Sequence, residues 1–310
     1  MTTPQSGILP EANTNATFIT LLINNDADSI ETIRRTVAAI PAMTAEMAQQ
    51  QPDSKLVSTV SFGAHAWVTL FPETPHPEHL APFKAHKHGL RQAPSTPGDI
   101  LVHIRSEGKD VNFDLSRQIM GELGELGDSV LVEEEVHGFR YRDSRDMTGF
   151  VDGTENPQGE DRAEVALVGE EDQAFTGGSY INCQRYIHNM GDWEATPVEQ
   201  QEQIIGRTKT DNIEFTSEQK APTAHIKRVS IKENGKSLEI LRHSLPYGDS
   251  SECGLFFIAY GKSPRPFDLM LEQMIHADGH GHYDHLMNYT QAVTGCAFFA
   301  PSVTFLESLQ

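Results

Sequence analysis

Cysteine is scarce in this chain: Cys183, Cys253 and Cys296 are the only three in 310 residues. An odd number of widely spaced thiols excludes a disulfide framework and reads as buried thiols of a reducing compartment. Basic residues are scarce as well. Lys and Arg total 24 against 44 Asp and Glu, a formal net charge of -20, and so acidic a surface repels nucleic acid and anionic membranes. No apolar run is longer than a strand, which excludes a membrane-spanning helix. The first fifteen residues are polar and contain proline, with no basic start ahead of an apolar stretch and no twin arginine. No export signal is expected, and a cytoplasmic protein is.

What is present is enough apolar material for a substantial core: 38% hydrophobic against 22% charged residues. The length suits two domain-sized units or one duplicated unit. Residues 17–24 are apolar and β-branched and read as a buried strand. Asp28 and Glu31 then open a helix as a capping box, with Ile30, Ile33, Val37 and Ile40 on one face until Pro41. Strands are expected at 55–62 and 99–105, a helix at 113–126 and a strand at 129–141. After residue 178 the order starts again. A strand at 178–188 precedes a helix whose start is marked by Thr196 at the N-cap, Pro197 at the first position and Glu199 at the third. Strands at 238–245 and 255–261, a helix at 266–275 and a closing strand at 296–306 complete it. A doubled strand-helix-strand-strand-helix-strand order predicts an α+β fold of two ferredoxin-like halves, 1–145 and 146–310, with antiparallel sheets flanked by helices.

Near the midpoint lies GFVDGTENP, residues 149–157, where Gly149 and Gly153 flank Asp152 and Asn156-Pro157 ends a tight bend. Alone, such a stretch is equally a surface turn. His225 stands in AHIKR beside aliphatic residues; a neutral imidazole there suits a haem iron, or serves as a hydrogen-bonded structural group. A ligating imidazole needs its second nitrogen held, and Asp284 in HYDH is the candidate acceptor. Arg242 sits inside the apolar stretch LRHSLPYG, either pointing to solvent or supplying a fixed positive charge. Arg207 pairs with a cofactor carboxylate or with a surface acid.

GFVDGTENP, His225 in AHIKR, LRHSLPYG and the closing TGCAFFAPS occur in this order over nearly the whole chain. Together they resemble the dye-decolourising peroxidases, haem enzymes of two ferredoxin-like halves, and the compact form is similar to the bacterial P-type or class B branch. The resemblance implies one haem b per chain, held in the C-terminal half. It makes His225 the proximal iron ligand, with Asp284 orienting it, Asp152 of the GxxDG motif the distal carboxylate and Arg242 the distal arginine. Arg207 would bind a haem propionate. Gly153, Thr154 and Ser244 of the same motifs are also expected to bind the cofactor, although some relatives carry asparagine where Ser244 stands.

The activity implied is reduction of hydrogen peroxide with oxidation of a small organic donor such as a dye or phenol, in a homo-oligomer that binds no nucleic acid or membrane. Trp193, Tyr186 and Tyr247 are candidate relays to the surface, and equally ordinary packing residues. Encapsulated relatives have a C-terminal docking tail; because the expected last strand runs almost to Gln310, no cargo role is expected. Two other classes stay open: haem or tetrapyrrole storage, transport or iron release with incidental peroxidase activity, and a zinc or non-haem iron site at His276, His280, His282 and His285. The histidines between 76 and 88 carry no assigned chemistry.

Overall fold

A computed structural model of the chain describes residues 2–24 and 27–309, leaving aside the side chains of 27 and 28. Asp28 of the expected capping box therefore lies outside the described residues. The first set of elements is β1 (Asn15–Ile23), α1 (Ala27–Gln50), β2 (Val57–Phe62), α2 (Ala64–Leu70), the hairpin β3 (His86–His88) and β4 (Arg91–Ala93), β5 (Ile100–Ser106), α3 (Lys109–Gly124) and β6 (Val130–Phe139). The second opens with α4 (Asp161–Ala166), β7 (Ser179–His188), α5 (Met190–Ala195), α6 (Val198–Ile205) and α7 (His225–Val229). Then come β8 (Lys232–Glu233), β9 (Lys236–Ser237), β10 (Leu241–Arg242), β11 (Leu245–Gly248), β12 (Cys253–Gly261), α8 (Arg265–Ile275), β13 (Thr290–Ala292), β14 (Cys296–Ala300) and α9 (Val303–Glu307).

Strand order makes the duplication visible. The main sheet runs β10-β12-β7-β14-β2-β5-β1-β6, all antiparallel, with β11 added on β12 and β13 on β7. Within each half the second, third, first and fourth strands lie side by side in that order, the ferredoxin-like arrangement. The halves meet edge to edge at one residue pair, Phe299 and Phe62.

Both faces of the sheet are covered, so β5 is buried at every position rather than alternating. On one face, Ile33, Val37 and Ile40 of α1 and Leu115, Ile119 and Leu123 of α3 pack on Ile19, Leu21 and Ile104. On the other, Phe18 stacks on Phe256 with ring centroids 4.0 Å apart, beside Ile258 and Phe298.

Several expectations need correcting. Pro41 does not end α1, which continues to Gln50. An interior proline costs about 3 kcal/mol, but full burial of Ile33, Val37 and Ile40 at roughly 1.5–3 kcal/mol each outweighs it. Thr196 does not cap α6; Pro197 holds that place, and the Thr196 hydroxyl donates to Asp192 O at 2.8 Å. The strand expected at 238–245 is two short pieces, β10 and β11, broken at His243-Ser244. The closing strand stops at Ala300, because Pro301 and Ser302 turn the chain into α9, where Ser302 Oγ accepts from Phe305 N. Cys183 and Cys296 are buried and face each other across β7 and β14, while Cys253 is half-exposed; all three are free thiols. No helix of the described residues is long and apolar enough to cross a membrane.

Candidate active site

The bend after β6 is held from behind. Asp146 Oδ2 accepts from Thr148 N and Oγ1 at 2.9 and 2.6 Å, Asp146 N donates to Phe150 O, and Gly149 N donates to Asp146 O. Gly149 has φ +88, a left-handed conformation that favours glycine. His188 closes the base of the bend, its Nε2 3.1 Å from Asp146 Oδ1 and its Nδ1 2.8 Å from Thr290 Oγ1. Burial alone would raise the Asp146 carboxyl, but the charge and hydrogen bond of His188, with the two hydrogen bonds from Thr148, hold it down at about 2. Asp146 and His188 went unnoticed in the sequence because they stand 42 residues apart, in a charged turn and at the end of a strand.

Asp152 follows on this base, its backbone N donating to Ser144 O at 3.0 Å. Gly153, at φ +81, donates from its N to Asp152 Oδ1 at 2.7 Å. Arg242 on β10 brings its Nη1 within 3.7 Å of the same oxygen, so the predicted pair does meet. Asn156 makes that meeting possible: its Nδ2 donates to Arg242 O at 2.8 Å and its Oδ1 accepts from Arg242 N at 2.9 Å. Read from sequence, Asn156 is turn punctuation; in the structure it pins the bend to β10.

His225 is the first residue of α7 and lines the same cavity. Its Nδ1 lies 2.6 Å from Asp284 Oδ2, and Asp284 is fully buried with Oδ1 accepting from Leu286 N at 2.9 Å. Leu286 N is thus an N-cap donor that the carboxylate uses while holding the imidazole. Nε2 of His225 has no protein partner among the described residues and is free for a ligand.

Arg207, at the end of α6, is 5% exposed. Its Nη1 donates to Thr154 Oγ1 at 2.5 Å, and its Nη2 is 3.7 Å from Glu214 and 4.0 Å from Glu155. Its Nε is buried without a partner among the described residues. A buried guanidinium N–H left open in this way favours an acceptor brought by a ligand.

All these groups line one cavity of about 330 Å³: Asp152, Gly153, Thr154, Arg207, His225 and Arg242, closed by apolar side chains that include Phe257, Leu271 and Leu286. Ser244 lines it too, but its hydroxyl bonds Ile258 N at 3.2 Å. Asp284 stands behind the wall rather than in it. Tyr186 lines the cavity, and burial with the Asp284 charge pushes its phenol well up. Trp193 is buried and donates to Thr148 O, and Tyr247 OH donates to Tyr186 O. The histidines at 276, 280, 282 and 285 do not form a metal centre: no group of three or more His, Cys, Asp or Glu among the described residues could hold an ion.

This fold and cavity have counterparts. The family descriptions "Dyp-type peroxidase, N-terminal" and "Dyp-type peroxidase, C-terminal" match residues 5–140 and 143–305. The chain is 38% identical over 303 residues to a dye-decolorizing peroxidase of Mycobacterium tuberculosis, covering 97% of this chain and 89% of that one. It superposes with TM-score 0.93 and 36% identity on a dye-decolorizing peroxidase of Bacteroides thetaiotaomicron, over 99% of this chain and 98% of that one. A Rhodococcus jostii DypB variant, solved in complex with heme, gives TM-score 0.93 and 38% identity over 99% of both chains. Two matching halves in the same order, carried on the same fold, place the chain in the Dyp-type peroxidase family.

Proposed function

We propose that the cavity is the haem b site of a peroxidase that reduces hydrogen peroxide and oxidises small organic donors such as dyes and phenols. The residues present suit that group: apolar walls, an imidazole with one nitrogen free, and the open Nε of buried Arg207 for a carboxylate. When bound, haem supplies an iron that takes up peroxide and holds its oxidising equivalents.

The side chains supply the rest. His225 is the iron ligand, and Asp284 fixes its ring orientation and makes it a stronger donor. Arg207 with Thr154 Oγ1 receives a propionate. For its O–O bond to break, peroxide must lose a proton at one oxygen and gain one at the other. Asp152 carries that proton on Oδ2, which has no protein donor among the described residues, while Oδ1 is held by Gly153 N. Arg242 presents its guanidinium to the charge that develops on the leaving oxygen. Ser244 has no separate role, its hydroxyl being bound to β12.

The lining residues all fall at or after Asp146, which supports 146–310 as the half carrying the site and 1–145 as its support. Free cysteines support a cytoplasmic setting, and the exposed Leu131 and Val132 on β6, each 47% accessible, support self-association.

The observation that carries this reading is that one cavity is lined by both a carboxylate-backed imidazole and a carboxylate-guanidinium pair. Stopped-flow mixing of the haem-loaded protein with peroxide tests it. Asp152→Asn or Arg242→Ala is expected to slow the haem spectral change about a hundredfold. Unchanged rates in both variants would overturn these roles.

A further inference from the structure

The helix α8 faces two cavities. Phe267, Met270, Leu271 and Met274, spaced as one helical face, line the first. Asp268 and Pro264, at its start, line a second cavity of about 250 Å³. On β7, alternate residues point to the same side, so Tyr180 lies in the second cavity, Gln184 in the first, and Asn182 between them in both. One helix, α8, and one amide side chain, Asn182, border both spaces.

The second cavity suits a small aromatic guest. Leu80, Phe83, Tyr180 and Phe298 form an apolar and aromatic wall, while His79, Ala81 and Lys84 are exposed and open it to solvent. Its volume is below the ~300–1,000 Å³ usual for drug-sized ligands and matches a single substituted ring. Inside it, the half-buried Asp268 carboxylate receives no hydrogen bond from the described residues. Burial pushes that carboxyl above its ordinary range despite the nearby charges of Lys84 and His86, with Glu272 adding to the rise. It is therefore a better proton acceptor than a surface aspartate.

We propose that this second cavity seats the organic donor as a one-ring phenol, with Asp268 taking the phenolic proton while the electron crosses the Asn182 and α8 partition. The proposal rests on the peroxidase reading of the first cavity. In each turn the phenol O–H bond breaks: the proton goes to the Asp268 carboxylate and from there to solvent at the open mouth, the electron goes to the peroxide-oxidised cofactor, and a phenoxyl radical leaves. Two phenols supply the two electrons that one peroxide takes up, and two protons drawn from solvent complete its two waters.

The probe is 2-methoxyphenol, compared with ferrocyanide, which gives an electron but no proton. In the resting haem-loaded protein, paramagnetic relaxation of the 2-methoxyphenol protons by the ferric iron reports binding near the partition. Ala81→Trp, which fills the mouth, is expected to abolish that relaxation and raise the KM for 2-methoxyphenol about tenfold. Asp268→Asn is expected to lower the ratio of 2-methoxyphenol to ferrocyanide turnover about tenfold through kcat, because a general base is lost. An unshifted ratio in Asp268→Asn, or relaxation that persists in Ala81→Trp, would overturn the donor seat. Failure of the unaltered protein to react with peroxide would instead overturn the peroxidase reading.

Discussion

On the His225 wall of the first cavity, imidazole and carboxylate stand 2.6 Å apart, and Asp284 is fully buried with its other oxygen bonded to Leu286 N. On the Asp152 wall, guanidinium and carboxylate approach no closer than 3.7 Å, and their side chains are 22% and 28% exposed. The difference fits the work proposed above for each wall. A ligand to iron is useful only if its ring stays put, so both of its supporting oxygens are committed. A group that gives and takes a proton needs an oxygen without a fixed donor, and room for the guest that receives the proton. The backbone at Asp152 is tied by its N–H to Ser144 O, and four residues on Asn156 fastens the bend to the backbone of Arg242.

That contrast can be broken or sharpened by substitution. The largest effect is expected on the tight wall: Asp284→Ala frees the His225 ring and should weaken haem retention ten- to hundredfold, read as a haem dissociation constant. Retention equal to that of the unaltered protein would mean the two walls are not built differently.

Next comes the base of the bend. The Asp146 carboxyl, held at about 2, is depressed below its unfolded value of 3.8, so its contribution is complete above the unfolded value and is lost as pH falls through the folded one. Asp146→Asn should therefore cost roughly 2 kcal/mol at neutral pH. Urea denaturation of both proteins should converge as the pH is lowered from about 5 towards 2. A gap independent of pH would remove the ion pair from the account.

The smallest effect is expected at the pin. Asn156→Ala breaks two hydrogen bonds to the Arg242 backbone, worth about 1 kcal/mol net each. It should slow the peroxide reaction several-fold and leave haem retention unchanged. A loss of retention instead would show that the walls are coupled.

Much of this was legible in the chain. Hydrophobic pattern gave the doubled element order, because a buried strand or helix face must be written in apolar residues whatever its partner. Motif order gave Asp152, His225, Arg242, Arg207 and Asp284, and the structure gathers the first four in one cavity with Asp284 behind. What stayed hidden depends on distance along the chain. Asn156 meets Arg242 across 86 residues and His188 meets Asp146 across 42, and nothing local marks an asparagine in a turn as a clamp. Element ends were misread for a related reason. Pro41 obeys a local rule that tertiary burial overrides, and β10 and β11 are split by what their side chains meet rather than by any breaker residue.

Because α8 is a wall to both cavities, any effect that filling one has on the other through this helix must be reciprocal. If seating the cofactor firms up the helix and so improves the neighbouring space for a guest by some factor, that guest must improve cofactor affinity by the same factor. A reductant in its seat would thereby also act as a retainer of the prosthetic group.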